Sequence, residues 1–264
     1  MSIDPVPALP SGRPIVFYSP HQDDETLWMG QIIAHHALAG RQVHLVLCAN
    51  GSNSAALAEI NGAPDFTWWG GPHYPAREGY QPLTADEFGL ARTREFLNAA
   101  GQLGVPEIRV HFGRADQIMT SSDELPTVVT STWAAQIIES WAEHFAVLGF
   151  DQVGHYTTHW NDPQPDHSAM GQALLDLHIG GGTPFADARW TVKPDQVAST
   201  AGAGTYGLPT SLAAQIKGMA KHAAWSYKAW APRGGSYGIG YHSVGPQFIR
   251  VESEGPNYIT GKSS

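Results

Sequence analysis

Between residues 14 and 49 the chain changes element type twice, and this alternation restricts its fold more than any other feature. "PIVFYS" (14–19) is a short apolar run of β-branched and aromatic residues with the length of a buried strand. Residues 25–39, "ETLWMGQIIAHHALA", place Leu27, Ile32, Ile33 and Leu38 at roughly helical spacing, and Gly40 is a natural stop. "QVHLVLCA" (42–49) reads as a second strand. A strand, a helix and a strand in so short a span form a βαβ unit with a right-handed crossover, the start of a parallel sheet.

The pattern continues after an interruption. From Asn50 to about Leu83 the residues turn to Gly, Pro, Asn and aromatics, including "FTWWGGPHYP", as expected of a functional loop or lid. "TADE" (84–87) fits a capping box that opens a helix through about Gly101, and "EIRVHF" (107–112) predicts a third strand. A helix follows at 131–146, a strand at about 151–157 and a helix at 166–178. Beyond residue 180 the expectation is one helix at about 210–230 and a strand "QFIRV" at 247–251. The predicted class is α/β: a Rossmann-like, mostly parallel sheet flanked by helices. It is expected to form one domain over 1–264, with a core at about 14–178 and a C-terminal elaboration at about 180–264. Ligands of such sheets bind at the carboxyl ends of the strands.

Charge and composition remove several function classes. The formal net charge is −9 and no dense Lys/Arg stripe occurs, so nucleic acid and anionic membrane surfaces are not expected partners. No long apolar span predicts membrane insertion, and the opening residues lack a basic segment followed by an apolar one, which predicts a cytoplasmic protein. The lone Cys48 lies in an apolar run and predicts a buried thiol. Arg outnumbers Lys and Ala and Gly abound, which points to a GC-rich bacterial source. Oligomeric state is not legible.

The chemistry lies at two strand-to-helix junctions. "PHQDDE" (20–25) follows the first strand, and acids at a helix N-terminus cap free N–H groups and meet the positive end of the dipole. Capping accounts for one or two of Asp23, Asp24 and Glu25. It gives His21 no role, and it leaves three like charges in one turn that a bound cation would relieve. "HYTTHWNDPQPDHSAMG" (155–171) repeats the arrangement at the end of another strand, with His155, His159, Asp162, Asp166 and His167 within reach of one another. Two such turns on one sheet edge can converge on a metal. Zn²⁺ accepts imidazole and carboxylate together, and a site with three protein ligands keeps a position open for water. A neighbouring carboxylate can then take a proton from that water.

"PHQDDE" resembles the "(A/P)HPDDE" signature of the PIG-L/LmbE-like family, zinc-dependent de-N-acetylases of N-acetylglucosaminyl compounds, and "QPDHSAMG" resembles its "HPDH" motif. "LVLCANG", "RTREFLNAAGQLGV" and "VHFGRAD" resemble further family segments in order, so the likeness spans about residues 14–175. The resemblance implies that His21, Asp24 and His167 bind one zinc ion and that Asp23 is the general base. It also places Arg92 and Asp116 where relatives hold sugar hydroxyls or a neighbouring substrate group. From the residues alone, a helix-surface Arg and a solvated turn acid are equally good descriptions.

The chain departs from the family pattern twice. Gln22 stands in place of the usual Pro, which is expected to loosen the loop slightly without removing a ligand. Gln164 replaces the first His of "HPDH", a residue that relatives use to stabilise the oxyanion or relay a proton, and an amide cannot supply a proton at neutral pH. The candidates to replace it are His155, His159 and His242, the last in a Gly-flanked segment where Tyr241 could donate to an oxyanion; packing or capping is the alternative for each. Asp166 is expected to orient a ligand or relay His, or to cap its helix. Trp68 and Trp69, with Phe66 and Tyr74, are expected either to form a lid that stacks on a sugar or acyl group or to pack as a satellite cluster.

The implied activity is hydrolysis of an N-acyl amide, most simply de-N-acetylation of an amino sugar within a larger molecule. The alternatives are an amidase of a thiol conjugate or long-chain N-acyl substrate, and a metal-dependent sugar-binding protein without turnover. Other divalent metals, Fe²⁺, Co²⁺ or Ni²⁺, suit the same ligand set.

Overall fold

The protein is described by a computed structural model covering residues 12–64 and 72–261. In chain order the core elements are β1 (Ile15–Ser19), α1 (Asp24–Leu27), α2 (Gly30–Leu38), β2 (Val43–Leu47), α3 (Ala56–Ile60), α4 (Pro75–Glu78), α5 (Ala85–Gln102), β3 (Val110–Phe112), α6 (Ser131–Val147), β4 (Gly154–Thr158) and α7 (Pro165–Gly180). There follow β5 (Asp187–Val192), β6 (Gly204–Thr205), α8 (Ala213–Ser226), β7 (Trp230–Ala231), β8 (Ser236–Tyr237), α9 (Ile239–Glu252) and β9 (Tyr258–Thr260).

Among the described residues the main sheet runs β3-β2-β1-β4-β5-β9-β6. The first five strands are parallel, and β9 lies antiparallel between β5 and β6. The chain builds outward from β1 to β3, returns through α6, and restarts on the other side of β1 with β4. The carboxyl ends of β1 and β4 therefore flank the point where strand order reverses, the place where an open α/β sheet leaves a crevice.

Period-two side chains cover both faces. Ile15 and Phe17 of β1 join a core with residues of α2, α5, α8 and α9, while Val16 and Tyr18 join the opposite core with residues of α6 and α7. Burying each such side chain contributes roughly 1.5–3 kcal/mol relative to leaving it in water. The capping box of α5 forms as expected: Glu87 N–H donates to Thr84 Oγ1 (3.3 Å) and Thr84 N–H donates to Glu87 Oε2 (2.8 Å). Among the described residues, no helix is long and apolar enough to cross a membrane.

Three expectations need correction. "QFIRV" is helical and belongs to α9: Tyr241, Gly245, Phe248 and Val251 are buried at helical spacing, with a kink at Val244 ahead of Pro246. The helix expected over 25–39 is split into α1 and α2 at Trp28 and Met29. β5 and β9 were not anticipated, although β5 extends the parallel sheet beside β4.

Candidate metal centre

The turn after β1 is held from several sides. Asp23 adopts φ 111°, ψ −32°, a strained conformation for a residue with a side chain. Gln22 is fully buried and ties the turn down, its Nε2 donating to Asn50 O (2.9 Å) and Thr93 Oγ1 (3.2 Å). This corrects the loosening expected from the loss of Pro. Gly51 makes the fit possible, since a Cβ there would lie 2.0 Å from Gln22 Oε1.

The three consecutive acids divide their work. Glu25 faces away from the cavity: its Oε1 accepts from Tyr227 Oη (2.8 Å), its Oε2 accepts from Asp23 N–H (3.0 Å), and burial pushes its carboxyl up to about 8. Asp24 accepts from His21 N–H through Oδ2 (3.0 Å) and from the Trp28 indole N–H through Oδ1 (3.1 Å). Asp23 Oδ2 accepts from Arg92 Nη2 at 3.0 Å. Burial pushes the Asp23 carboxyl up to about 6 against the pull of Arg92.

The turn after β4 approaches from the adjacent strand. Gln164 occupies the N-cap position of α7 without a side-chain capping bond, and Asp166 and His167 lie in the first turn. Asp166 Oδ2 is 2.8 Å from His21 Nε2, which leaves His21 Nδ1 directed to Asp24 Oδ2 at 3.5 Å. His167 Nδ1 lies 3.3 Å from Asp162 Oδ2, and Lys193 Nζ in turn holds Asp162 at 2.9 Å. His167 Nε2 is buried, has no hydrogen-bond partner, and lies 3.1 Å from Asp24 Oδ2.

These contacts fit a metal. The ligand atoms of His21, Asp24 and His167 all lie within 4.8 Å of one another. The carboxylate against each His favours an N–H on the outer nitrogen and a lone pair on the inner one, the usual support of a ligating imidazole. The same cluster holds protons tightly. Burial opposes charge on His21, yet Asp166 and Asp24 lift it to about 9; burial likewise opposes charge on His167, yet Asp24 and Asp162 raise it. Burial also opposes the Asp24 anion, but His167 and His21 hold its carboxyl well below the ordinary range. A divalent cation competes for the same lone pairs.

The triad opens into a cavity of about 530 Å³ that Asp23, Arg92 and Gln164 also line. Gln164 Nε2 is 3.5 Å from His21 Nδ1. Arg92 donates to Gly51 O (3.0 Å), Gln22 O (2.7 Å) and Asp23, so it braces the loop and the acid from within rather than projecting as a helix-surface residue.

Other expected site residues lie elsewhere. Asp116 is exposed, pairs with Arg114 (2.8 Å), and does not line the cavity. His242 donates from Nδ1 to Gly238 O (2.7 Å) and packs its Nε2 2.8 Å from His73 Nε2, beside Trp230, while its neighbours Ser243 and Val244 line the cavity. His155 bonds Tyr18 Oη (2.9 Å), His159 stacks on Trp160, and Tyr241 donates to Glu252. Phe66, Trp68 and Trp69 fall outside the described residues. Sequence reasoning gave no role to Trp28 or Lys193. Their signal was positional: Trp28 lies four residues after Asp24, and Lys193 directly follows β5 on the edge that carries the site.

The PIG-L family, described as GlcNAc-PI de-N-acetylase, matches residues 16–178. No curated protein matches the chain. Among solved structures, a deacetylase–teicoplanin complex is similar at 15% identity, covering 94% of this chain and 97% of that one, with a TM-score of 0.56. The zinc-inhibited form of a teicoplanin deacetylase shares 13% identity over 95% of this chain and 100% of that one, TM-score 0.50. N,N'-diacetylchitobiose deacetylase from Pyrococcus horikoshii shares 14% identity over 94% and 82%, also with a TM-score of 0.50.

Proposed function

Since the chain belongs to the PIG-L (GlcNAc-PI de-N-acetylase) family, we propose that it is a metal-dependent hydrolase that removes the acetyl group from an N-acetylated amino sugar within a larger molecule. The observation that carries this reading is the meeting of His21, Asp24 and His167 in one cavity with Asp23 beside them. Similarity to deacetylases of teicoplanin and diacetylchitobiose supports the substrate class.

Zn²⁺ suits two imidazoles and a carboxylate, and a bound cation supplies a Lewis acid that polarises the amide carbonyl and acidifies water. His21, Asp24 and His167 would hold it, oriented by Asp166, Trp28 and Asp162. Arg92 engages Asp23 Oδ2, so Asp23 takes the proton of the attacking water on its other oxygen as the new C–O bond forms. Burial makes the Asp23 carboxyl more basic than an ordinary carboxylate, which favours its taking that proton. When the C–N bond breaks, the departing nitrogen needs a proton that the Gln164 amide cannot give. Asp23 returns the one it took, and acetate and free amine leave.

A second reading, sugar binding without turnover, draws on Gln164. Acetate release separates the two. Wild-type protein dialysed against metal-free buffer is expected to keep about one equivalent of zinc and to release acetate from N-acetyl sugars. His167→Ala is expected to lose most of the metal and on the order of 10³-fold or more in kcat/KM. Bound sugar without acetate release, even with added zinc, would leave the binding reading. Turnover of long-acyl analogues alone would remove the acetyl assignment.

A further inference from the structure

The Arg and Lys side chains that line the cavity differ in what neutralises them. Arg92 pairs with Asp23, and Lys193 pairs with Asp162. Arg250 of α9 has neutral partners only: Nη1 donates to Pro256 O (2.7 Å) and Nη2 to Leu27 O (2.9 Å). Its Nε is buried without a hydrogen-bond partner, and among the described residues no carboxylate forms an ion pair with it, the exposed rim residue Asp195 included. A partly buried cation without a counter-ion is costly unless something else supplies the negative charge.

The seat of this guanidinium is built. Its carbon lies 5.5 Å from the centre of the Trp28 ring, and the same indole donates to Asp24. One indole is thus shared by the guanidinium and a candidate metal ligand. Gly255 makes room, since a Cβ there would lie 2.7 Å from Arg250 Cγ. Asn257 Nδ2 also donates to Leu27 O (3.2 Å), which fixes the carbonyl that Arg250 grips. Gln247, one turn earlier on α9, lines the cavity as well, and its buried Oε1 has no partner.

We propose that the substrate carries an anionic group, a carboxylate or a phosphate, close to its N-acyl amide, and that Arg250 receives that group in the cavity. Gln247 Oε1 offers an acceptor for a hydroxyl beside it. The guanidinium has the donor geometry that such oxyanions match, and the indole it shares with Asp24 places the charge in the same part of the cavity as the amide. This selectivity rests on the hydrolase reading above for its place in a reaction, whereas the binding preference stands by itself.

The test uses deacetylated sugars, which are not turned over: glucosamine 1-phosphate and muramic acid against methyl glucosaminide, which has the same amine and no acid group, titrated calorimetrically into metal-loaded protein. At least one acid-bearing sugar is expected to bind about tenfold or more tightly than methyl glucosaminide, the size of one charge-assisted hydrogen bond. Whichever of the two shows the preference identifies phosphate or carboxylate as the group. Arg250→Gln is expected to bring the affinity ratio close to one. Arg250→Lys, which keeps the charge if the Gln variant does not fold, is expected to lower the ratio severalfold. Equal affinities for all three sugars in the wild type overturn the proposal, as does a ratio that survives both substitutions, which would place the anion on the metal. Acetate release that fails for every N-acetyl sugar removes the hydrolase reading and leaves the affinity ratio to decide this one.

Discussion

One wall of the cavity comes from two short turns that leave adjacent strands, His21–Asp24 after β1 and Gln164–His167 after β4, whereas another comes from Lys193, Val244, Gln247 and Arg250. In the first wall, parallel pairing of β1 and β4 brings together candidate ligands more than 140 residues apart in sequence. The second depends on β5 of the same sheet, which Lys193 directly follows, and on a helix with a kink ahead of Pro246. The family match covers the first wall and stops at residue 178. The candidate metal ligands thus sit where the sheet pins them, and the second wall lies on elements beyond the family match, joined to the first through the contact of Lys193 with Asp162.

The largest test of this division is Asp23→Asn, which should retain metal and lose on the order of 10²–10⁴ in kcat. Parallel zinc analysis and acetate-release kinetics decide it, and turnover at the wild-type rate would remove Asp23 as the base. Next is Trp28→Phe, which keeps a ring beneath Arg250 but deletes the indole N–H on Asp24. Metal affinity should fall roughly 10–100-fold, as for other groups that orient ligands, by chelator competition. An unchanged affinity would mean that Trp28 serves the second wall alone.

A smaller effect is expected where α8 meets the first wall. Tyr227→Phe removes a donor from buried Glu25 and should cost about 1–3 kcal/mol in urea denaturation, with metal content unchanged. Loss of metal instead would show that the acid turn depends on the C-terminal region after all.

The smallest effect lies at the β2–β3 side of the sheet, away from both walls. His44 Nδ1 is 2.9 Å from His111 Nε2, and burial, then repulsion between imidazoles, pushes the two groups down to about 3 and about 4. The folded pair is neutral, so its contribution is complete above the ordinary histidine pKa near 6.5 and is lost as pH falls toward 4. Each group adds a slope of at most about 1.4 kcal/mol per pH unit in that window. His111→Gln should therefore flatten the fall in urea midpoint between pH 7 and pH 5, and an identical fall would assign the acid sensitivity elsewhere.

The same contrast explains what could be read from the residues alone. The strand before His21 and the motifs around His21 and His167 were legible because each compresses several ligating residue types into a few positions beside an apolar run. The parallel alternation then placed them at one edge. The role of Glu25 was hidden because an acid that braces Tyr227 looks like one that binds metal until the direction of its side chain is known. β5 was missed because "DARWTV" begins with a charged residue and carries another before its apolar end, and with it went the Lys193–Asp162 support of His167. α9 was misread because Gly240, Gly245 and Pro246 break the residue pattern of a helix while burial keeps its period. Arg250 had no motif at all, and its isolation from acids is a property of the folded surroundings.

The position of β9 adds an element of time. It pairs with β5 across the intervening residues 193–257 and follows the helix that carries Arg250, while the neighbouring segment 255–257 clamps that guanidinium. Such distant pairing is slow compared with the local βαβ units, and during synthesis earlier segments emerge first. β1 and β4 pair across a still longer stretch, so neither wall is local, and what separates them is the order of synthesis, in which the segment that seats Arg250 emerges after both turns of the candidate metal cluster.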